Sequence, residues 1–332
     1  MKDVHFVANI KRVLYNNKVN LPWEEKMRFL LVYFTGTYNT RYLTDRITEE
    51  LVAHGHAVDK VEINKDTPIC DTNGYDFIGF SYPIYGFNTP RPFDKYLKKL
   101  KINKGQKYFI YKNSGETLAM NNASSRGILR RMKRKKAVFS GEYHFVMPYN
   151  IHFKYDNDFV KEILVKDKKL AEIMIYNLEH GVVRHLKSKF IYNFAAFFVG
   201  IVKVAGNVNS FLYKVDKNKC VNCMKCVNTC PEKNVYVKKG KIKFHHHCDM
   251  CMRCSFFCPT DAIKIGFLDW WGWRVNGDYK LKKLEKDGAP QKPYITEESQ
   301  GFYKCFIKTF KEIDQEYERL FGDKEKEKEI AG

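Results

Sequence analysis

No stretch of this 332-residue chain stays apolar for long. The most apolar run, Phe190 to Val202, is interrupted by Asn193 and ended by Lys203. It is well short of the roughly 18 to 20 residues that a membrane span needs, and reads as a buried or docking helix. The opening MKDVHFVANIKRVLYNNKVN scatters charge through any would-be apolar core, so a secretion signal is not expected and a cytoplasmic location is. Acidic residues are in short supply: 38 Asp and Glu stand against 58 Lys and Arg, for a formal net charge of +20. That imbalance points to an acidic or anionic partner surface. Nucleic acid is not expected, because no recognition motif accompanies the charge. No G-x-G-x-x-G follows a strand and no P-loop occurs, so nothing announces a nicotinamide or nucleotide site.

Cysteine is scarce outside one pattern. Of ten cysteines only Cys70 and Cys305 stand apart, each read as a small buried residue. The other eight spell C-x2-C-x2-C-x3-C-P twice, as Cys220, Cys223, Cys226, Cys230, Pro231 and as Cys248, Cys251, Cys254, Cys258, Pro259. A zinc ribbon needs only four ligands and does not call for C-x3-C-P after a third cysteine. A disulfide framework suits a short secreted chain instead. The repeat extends past the cysteines: at an offset of 28, Met224 matches Met252, Val235 matches Ile263 and Val237 matches Ile265, so each run is followed by a short apolar strand. Two such runs resemble the ligand set of bacterial two-cluster ferredoxins. The resemblance implies crosswise ligation, with Cys220, Cys223, Cys226 and Cys258 on one [4Fe-4S] cluster and Cys248, Cys251, Cys254 and Cys230 on the other.

The chain is too long for a ferredoxin alone. From 28 to 147, apolar strands alternate with helical stretches, the mark of a parallel α/β sheet. Strands are expected at Arg28 to Phe34, Val58 to Ile63, Phe77 to Ser81, Lys107 to Tyr111 and within Ala137 to Val146. Helices are expected at Thr40 to His54, about Pro92 to Leu100, about Ser124 to Lys135 and Asp158 to His180, the last capped by Gly181. The loop after the first strand, Thr35-Gly36-Thr37-Tyr38-Asn39-Thr40, gathers hydroxyls and amides at a helix start, which makes an anion site without a lysine.

At this loop the chain resembles flavodoxins, and as a whole it is similar to the family of flavodoxin and ferredoxin fusion proteins. The resemblance implies a flavodoxin-like doubly wound sheet of order 2-1-3-4-5, followed by a small α+β ferredoxin domain. It implies FMN, with phosphate on the Thr35–Thr40 loop and the ring between Pro83, Ile84, Tyr85, Gly86, Phe87 and the segment Asn113, Ser114, Gly115. Tyr38 stands where the family's phosphate loop has glycine. Its side chain must point outward or crowd the phosphate.

The resulting organisation is a helical extension over 1–27, a flavodoxin-like domain over 28–181, a helical linker over 182–215, a ferredoxin domain over 216–267 and a C-terminal extension over 268–332. Phe6, Val7, Ile10, Val13 and Leu14 share one helical face in the first segment, suited to packing on the body or to a membrane surface. A helix over about Thr296 to Phe321 is expected to end in a frayed charged tail. The basic run Arg130, Arg131, Lys133, Arg134, Lys135, Lys136 reads as a helix C-terminus or a docking patch. His245, His246 and His247 read as packing or surface residues, since a strand splays neighbours to opposite faces. Trp270, Trp271 and Trp273 fit core, interdomain contact or partner anchor. The function expected is electron transfer between an acidic redox partner, the clusters and FMN. The alternatives are a flavin-dependent reductase fed by its own ferredoxin half, and a flavin-free scaffold carrying a ferredoxin.

Overall fold

The computed structural model describes residues 26–201 and 205–331. Most of the helix expected over the first 27 residues therefore lies outside the described residues. The sheet is built from β1 (Arg28–Tyr33), β2 (Ala57–Glu62), β3 (Phe77–Ser81), β4 (Lys107–Ser114) and β5 (Val138–Val146). All pairings are parallel and the order is β2-β1-β3-β4-β5. Parallel strands are covered on both faces and so read as continuous apolar runs. In β1, Phe29 and Leu31 face one layer while Leu30 and Val32 face the other. The first layer holds α1 (Asn39–Ala53) and α4 (Asn157–Glu179), through Leu43, Ile47, Leu51, Leu170, Ile173 and Leu178. The second holds α2 (Arg91–Lys99) and α3 (Arg126–Arg134), through Phe93, Leu97, Ile128 and Met132.

Differences from the expected elements are local. β4 runs on past Tyr111 because Asn113 and Ser114 pair with Phe145 and Val146 of β5. The helix expected from Ser124 begins as a 3-10 turn over Ala119–Ser125. Past α4 come α5 (Phe190–Ile201) and α6 (Ala205–Ser210), then β6 (Tyr213–Val215). β6 pairs antiparallel with β9 (Ile263–Ile265), so the ferredoxin sheet reaches back beyond residue 216. Between them lie α7 (Lys225–Asn228), the hairpin of β7 (Val235–Lys238) with β8 (Lys241–Phe244), and α8 (Arg253–Phe256). After α9 (Phe267–Trp270) and α10 (Leu281–Lys286), the last helix, α11, runs Lys304–Ala331. It starts later than Thr296 and carries the charged tail within the helix. Phe306 and Phe310 pack it on Phe159 and Ile163 of α4.

At the far edge of the first layer, Glu179 accepts from both His54 (Nδ1, 2.8 Å) and His56 (Nε2, 3.0 Å). Burial alone would raise the Glu179 carboxyl, but the two histidines outweigh it and hold the group down at about 2. The same bond raises His54. The carboxylate's stabilisation is present above the ordinary Glu range and lost as pH falls toward 2. The His54 contribution is full below its ordinary value and lost as pH rises through the raised one. Glu179→Gln is expected to cost about 3 kcal/mol near pH 6 in denaturant unfolding, with the difference from the native chain narrowing in acid.

Candidate functional site

β1, β3 and β4 end at one edge of the sheet, where the strand order reverses, and a cavity of about 640 Å³ opens there. Thr35, Gly36, Thr37, Asn39 and Thr40 line one side. Pro83, Ile84, Tyr85, Gly86 and Phe87 line a second, and Asn113, Ser114 and Gly115 a third. Three loops far apart in sequence are thus brought together. Several of their polar groups are already engaged. Thr40 Oγ1 donates to Asn113 Oδ1 (2.7 Å), Asn39 Nδ2 to the Pro148 carbonyl (2.8 Å) and Asn150 Nδ2 to Thr37 Oγ1 (2.9 Å).

Two buried hydroxyls, Thr35 Oγ1 and Tyr85 Oη, have no protein partner. Helix α1 starts beside Thr35 with no side-chain cap and no acidic residue in its first turn. Uncapped amides and an orphan hydroxyl at the positive end of a helix fit an anion such as a phosphate.

Tyr38 is the one predicted contact absent from the cavity wall. It takes the left-handed conformation (φ 70°) that glycine adopts most readily, and its ring turns away. The ring lies near the guanidinium carbons of both Arg41 (4.4 Å) and Arg253 (4.5 Å), against Phe257. Cation–π attraction to two arginines holds it outside, so Tyr38 belongs to the domain junction and leaves the anion loop open.

The cavity has walls the loop pattern did not indicate. Met147 to His152, after β5, form one, with the Tyr149 ring against Gly115 and its hydroxyl donating to Glu116. A side chain at Gly115 would collide with that ring. Val199 of α5 and Trp273 reach the cavity from elsewhere in the chain. Asp249, Met250 and Met252, from the second cysteine run, complete it.

The two cysteine runs repeat in backbone as well as in sequence. Asn222, Met224 and Lys233 are left-handed, and so are Met250, Met252 and Asp261, their counterparts at an offset of 28. Helices α7 and α8 occupy matching places. Such turns direct amides inward: Asn234 N lies 3.2 Å from Cys230 Sγ, Met250 N 3.3 Å from Cys248 Sγ and Ala262 N 3.2 Å from Cys258 Sγ. None of the ten cysteines is joined in a disulfide.

Cys220, Cys223, Cys226 and Cys258 line one small pocket, so the last cysteine of the second run joins three of the first. Burial pushes Cys226 up to about 11, with Cys223 and Cys258 adding to it. Burial likewise drives Cys254 well up, with Cys248, Cys251, Cys230 and Cys226 adding to it in that order. Cys251 is raised by burial to about 12. Crowded, buried thiols of this kind ionise together only around a cationic core, and amides donating to sulfur suit a thiolate-ligated iron cluster. Among the described residues no three His, Cys, Asp or Glu side chains close on a single ion position.

The second run is clamped onto the sheet domain. Buried Arg253 donates from Nη2 to the Thr35 carbonyl, from Nε to the Gly36 carbonyl and from Nη1 to the Thr229 carbonyl, at 2.5, 2.5 and 2.9 Å. Arg91 binds Asp249 (2.5 Å) and the Cys248 carbonyl (2.8 Å). Gly36 allows the close approach, because a Cβ there would stand 2.9 Å from the Cys251 carbonyl oxygen and would meet Tyr85 Oη.

The remaining candidates resolve into packing. His245 stacks on Tyr236 and His246 on Phe211. Arg131 pairs with Asp94 and Lys135 donates to the Leu100 carbonyl, so part of the basic run closes a helix end. Trp270, Trp271 and Trp273 are all exposed, and Trp273 also contacts His152 at the cavity.

A doubly wound sheet with an open switch-point cleft, joined to two thiol-ringed loops, defines a redox fusion protein. A 4Fe-4S binding domain model matches residues 214–236. A ferredoxin from Methanothermococcus thermolithotrophicus is 38% identical over 52 residues, 15% of this chain and 87% of its own. The pyruvate synthase subunit PorD of Methanothermobacter marburgensis is 35% identical over 60 residues, 18% of this chain and 72% of its own. A Streptococcus pneumonia TIGR4 flavodoxin structure, 19% identical, spans 45% of this chain and 98% of its own at a TM-score of 0.33. The strand order, not that likeness, carries the assignment of the N-terminal sheet. The chain belongs to the ferredoxin family, as a flavodoxin-like domain fused to a ferredoxin domain, and its class of activity is electron transfer.

Proposed function

We propose that the protein passes electrons between an acidic partner protein, two [4Fe-4S] clusters and FMN. Cys220, Cys223, Cys226 and Cys258 would hold one cluster, Cys248, Cys251, Cys254 and Cys230 the other, and the switch-point cavity the FMN. The observation that carries this reading is that the second cysteine run itself walls the cavity, through Asp249, Met250 and Met252. Bound together, the clusters exchange single electrons and the flavin one or two, which lets the molecule convert between them.

The chain's residues sort into distinct tasks. Thr35 and the first amides of α1 receive the phosphate, Tyr85 and Tyr149 bound the ring space, and Arg253 and Arg91 fix the second cysteine run against it. The first run faces outward: Cys223 is exposed. From 214 to 243 the chain has nine lysines and two carboxylates, a surface that favours encounter with an acidic carrier at this end. Entry at the first centre and exit at the cavity is the order this arrangement supports.

Protein purified without oxygen is expected to carry about eight irons and, after incubation with FMN, about one flavin per chain. Thr35→Val is expected to weaken FMN about tenfold with iron unchanged, measured by quenching of flavin fluorescence. Unchanged affinity would remove Thr35 from the site. Full iron with no flavin bound by the native chain would leave a ferredoxin on a docking scaffold.

A further inference from the structure

Helix α5, FIYNFAAFFVGI, contains no charged residue, yet most of it faces outward. It touches the body along one narrow face. Ala196 is buried and its carbonyl accepts from Asn88 Nδ2 (2.8 Å), Gly200 lies against the same Asn88, and Val199 lies against Gly86 at the cavity. The opposite side presents Phe190, Ile191, Phe194, Phe197 and Phe198, from 51% to 84% exposed. An apolar helix seated by a single face is not a core helix, and monomers rarely leave such a patch without a function.

A second exposed aromatic group adjoins the same cavity. Trp270 and Trp271 are 69% and 60% exposed, and Trp273 beside them lines the cavity that Val199 reaches from the other side. Asn209 braces this group by bonding the Ile265 carbonyl and the Phe267 amide. Among the described residues no helix is long and apolar enough to cross a membrane. Just before α5, Lys187 and Lys189 are exposed. Phenylalanine and tryptophan backed by lysine suit the boundary between acyl chains and anionic headgroups. The charge of +20 opposes pairing of two copies and attracts an anionic bilayer.

We propose that α5, with Trp270 and Trp271, seats the protein on an anionic lipid surface as an interfacial contact that does not span the bilayer. The contact is independent of what the cavity binds. The test is flotation of the full chain with vesicles of phosphatidylcholine alone or mixed with phosphatidylglycerol. The native protein is expected to float with the mixed vesicles about tenfold more than with the neutral ones. Combined Phe194→Ser, Phe197→Ser and Phe198→Ser should lose about tenfold of that binding. Because these side chains are exposed, iron content and elution volume should not change. No flotation of intact native protein overturns the proposal. So does flotation that the triple variant leaves unaltered, since charge alone would then explain it. A stable dimer in sedimentation that the triple variant converts to monomer also overturns it, and assigns the face to a second copy.

Discussion

Serine at Cys258 is expected to abolish the centre of the first cysteine run and to spare that of its own run. Cys258 lines the pocket formed by Cys220, Cys223 and Cys226, while Cys254, four residues earlier, is raised by burial and then chiefly by Cys248, Cys251 and Cys230, with Cys226 last. Cys254 sits within α8 and Cys258 just past its end, which separates the two thiols along the chain. Iron should fall from about eight to about four per chain, and Cys230→Ser should do the same to the other centre. Paramagnetic resonance of each reduced variant tells the two apart by which signal survives. Should Cys258→Ser extinguish the signal that Cys248→Ser also extinguishes, ligation follows the sequence runs and the crosswise assignment fails.

Arg253→Ala is expected to loosen the two domains by several kcal/mol. Two carbonyls of the sheet domain, of Thr35 and Gly36, take their hydrogen bonds from this one side chain across the junction, while its third bond, to Thr229, ties the two cysteine runs together; each buried acceptor left unpaired costs about 1 to 3 kcal/mol. Tyr38 would also lose one of its two cationic neighbours. The repeat supplies an internal control. The residue matching Arg253 in the first run is Lys225, whose ammonium sits over the Phe257 ring and makes no such bonds. Lys225→Ala should therefore leave the junction intact. Limited proteolysis read against denaturant unfolding distinguishes the variants. Arg253→Ala should expose cleavage sites between the domains before either domain unfolds, and Arg253→Lys should recover only part of the protection because ammonium lacks the planar fork. Native-like protection in Arg253→Ala would show that Arg91, with Asp249, is sufficient.

Legibility in the sequence followed the range of the forces involved. The inner strands β1 and β3 could be read because burial on both faces leaves unbroken apolar runs such as RFLLVY and FIGFS, whereas the edge strand β2, AVDKVE, is half-exposed and shows itself only by alternation and position. The two cysteine runs could be read because their spacing repeats in the sequence itself. Thr35, Tyr85 and Gly115 were reachable through the loop positions that a doubly wound sheet assigns to its ligand. Arg253, Tyr149 and Met250 were not. Arg253 meets Gly36 across 217 positions, and neither periodicity nor spacing encodes such a contact. Tyr38 shows the same limit from the other direction. Its place in the anion loop was visible, but the direction of its ring depends on two arginines, one of them in another domain. The onset of α11 at Lys304 rather than Thr296 reflects polar residues that bond locally: Ser299 Oγ accepts from the Thr296 amide and holds a turn where a helix would otherwise begin.

The cavity's wall of Asp249, Met250 and Met252 belongs to a loop whose left-handed turns curl around thiols. On the proposed ligation, such a loop would hold its shape only once its metal is in place. A chain without iron would then have a cleft with one side missing, and maturation would acquire an order: iron and sulfide first, the organic cofactor's pocket second. Iron starvation would leave a protein folded in its sheet yet unfinished at the edge where its two halves meet.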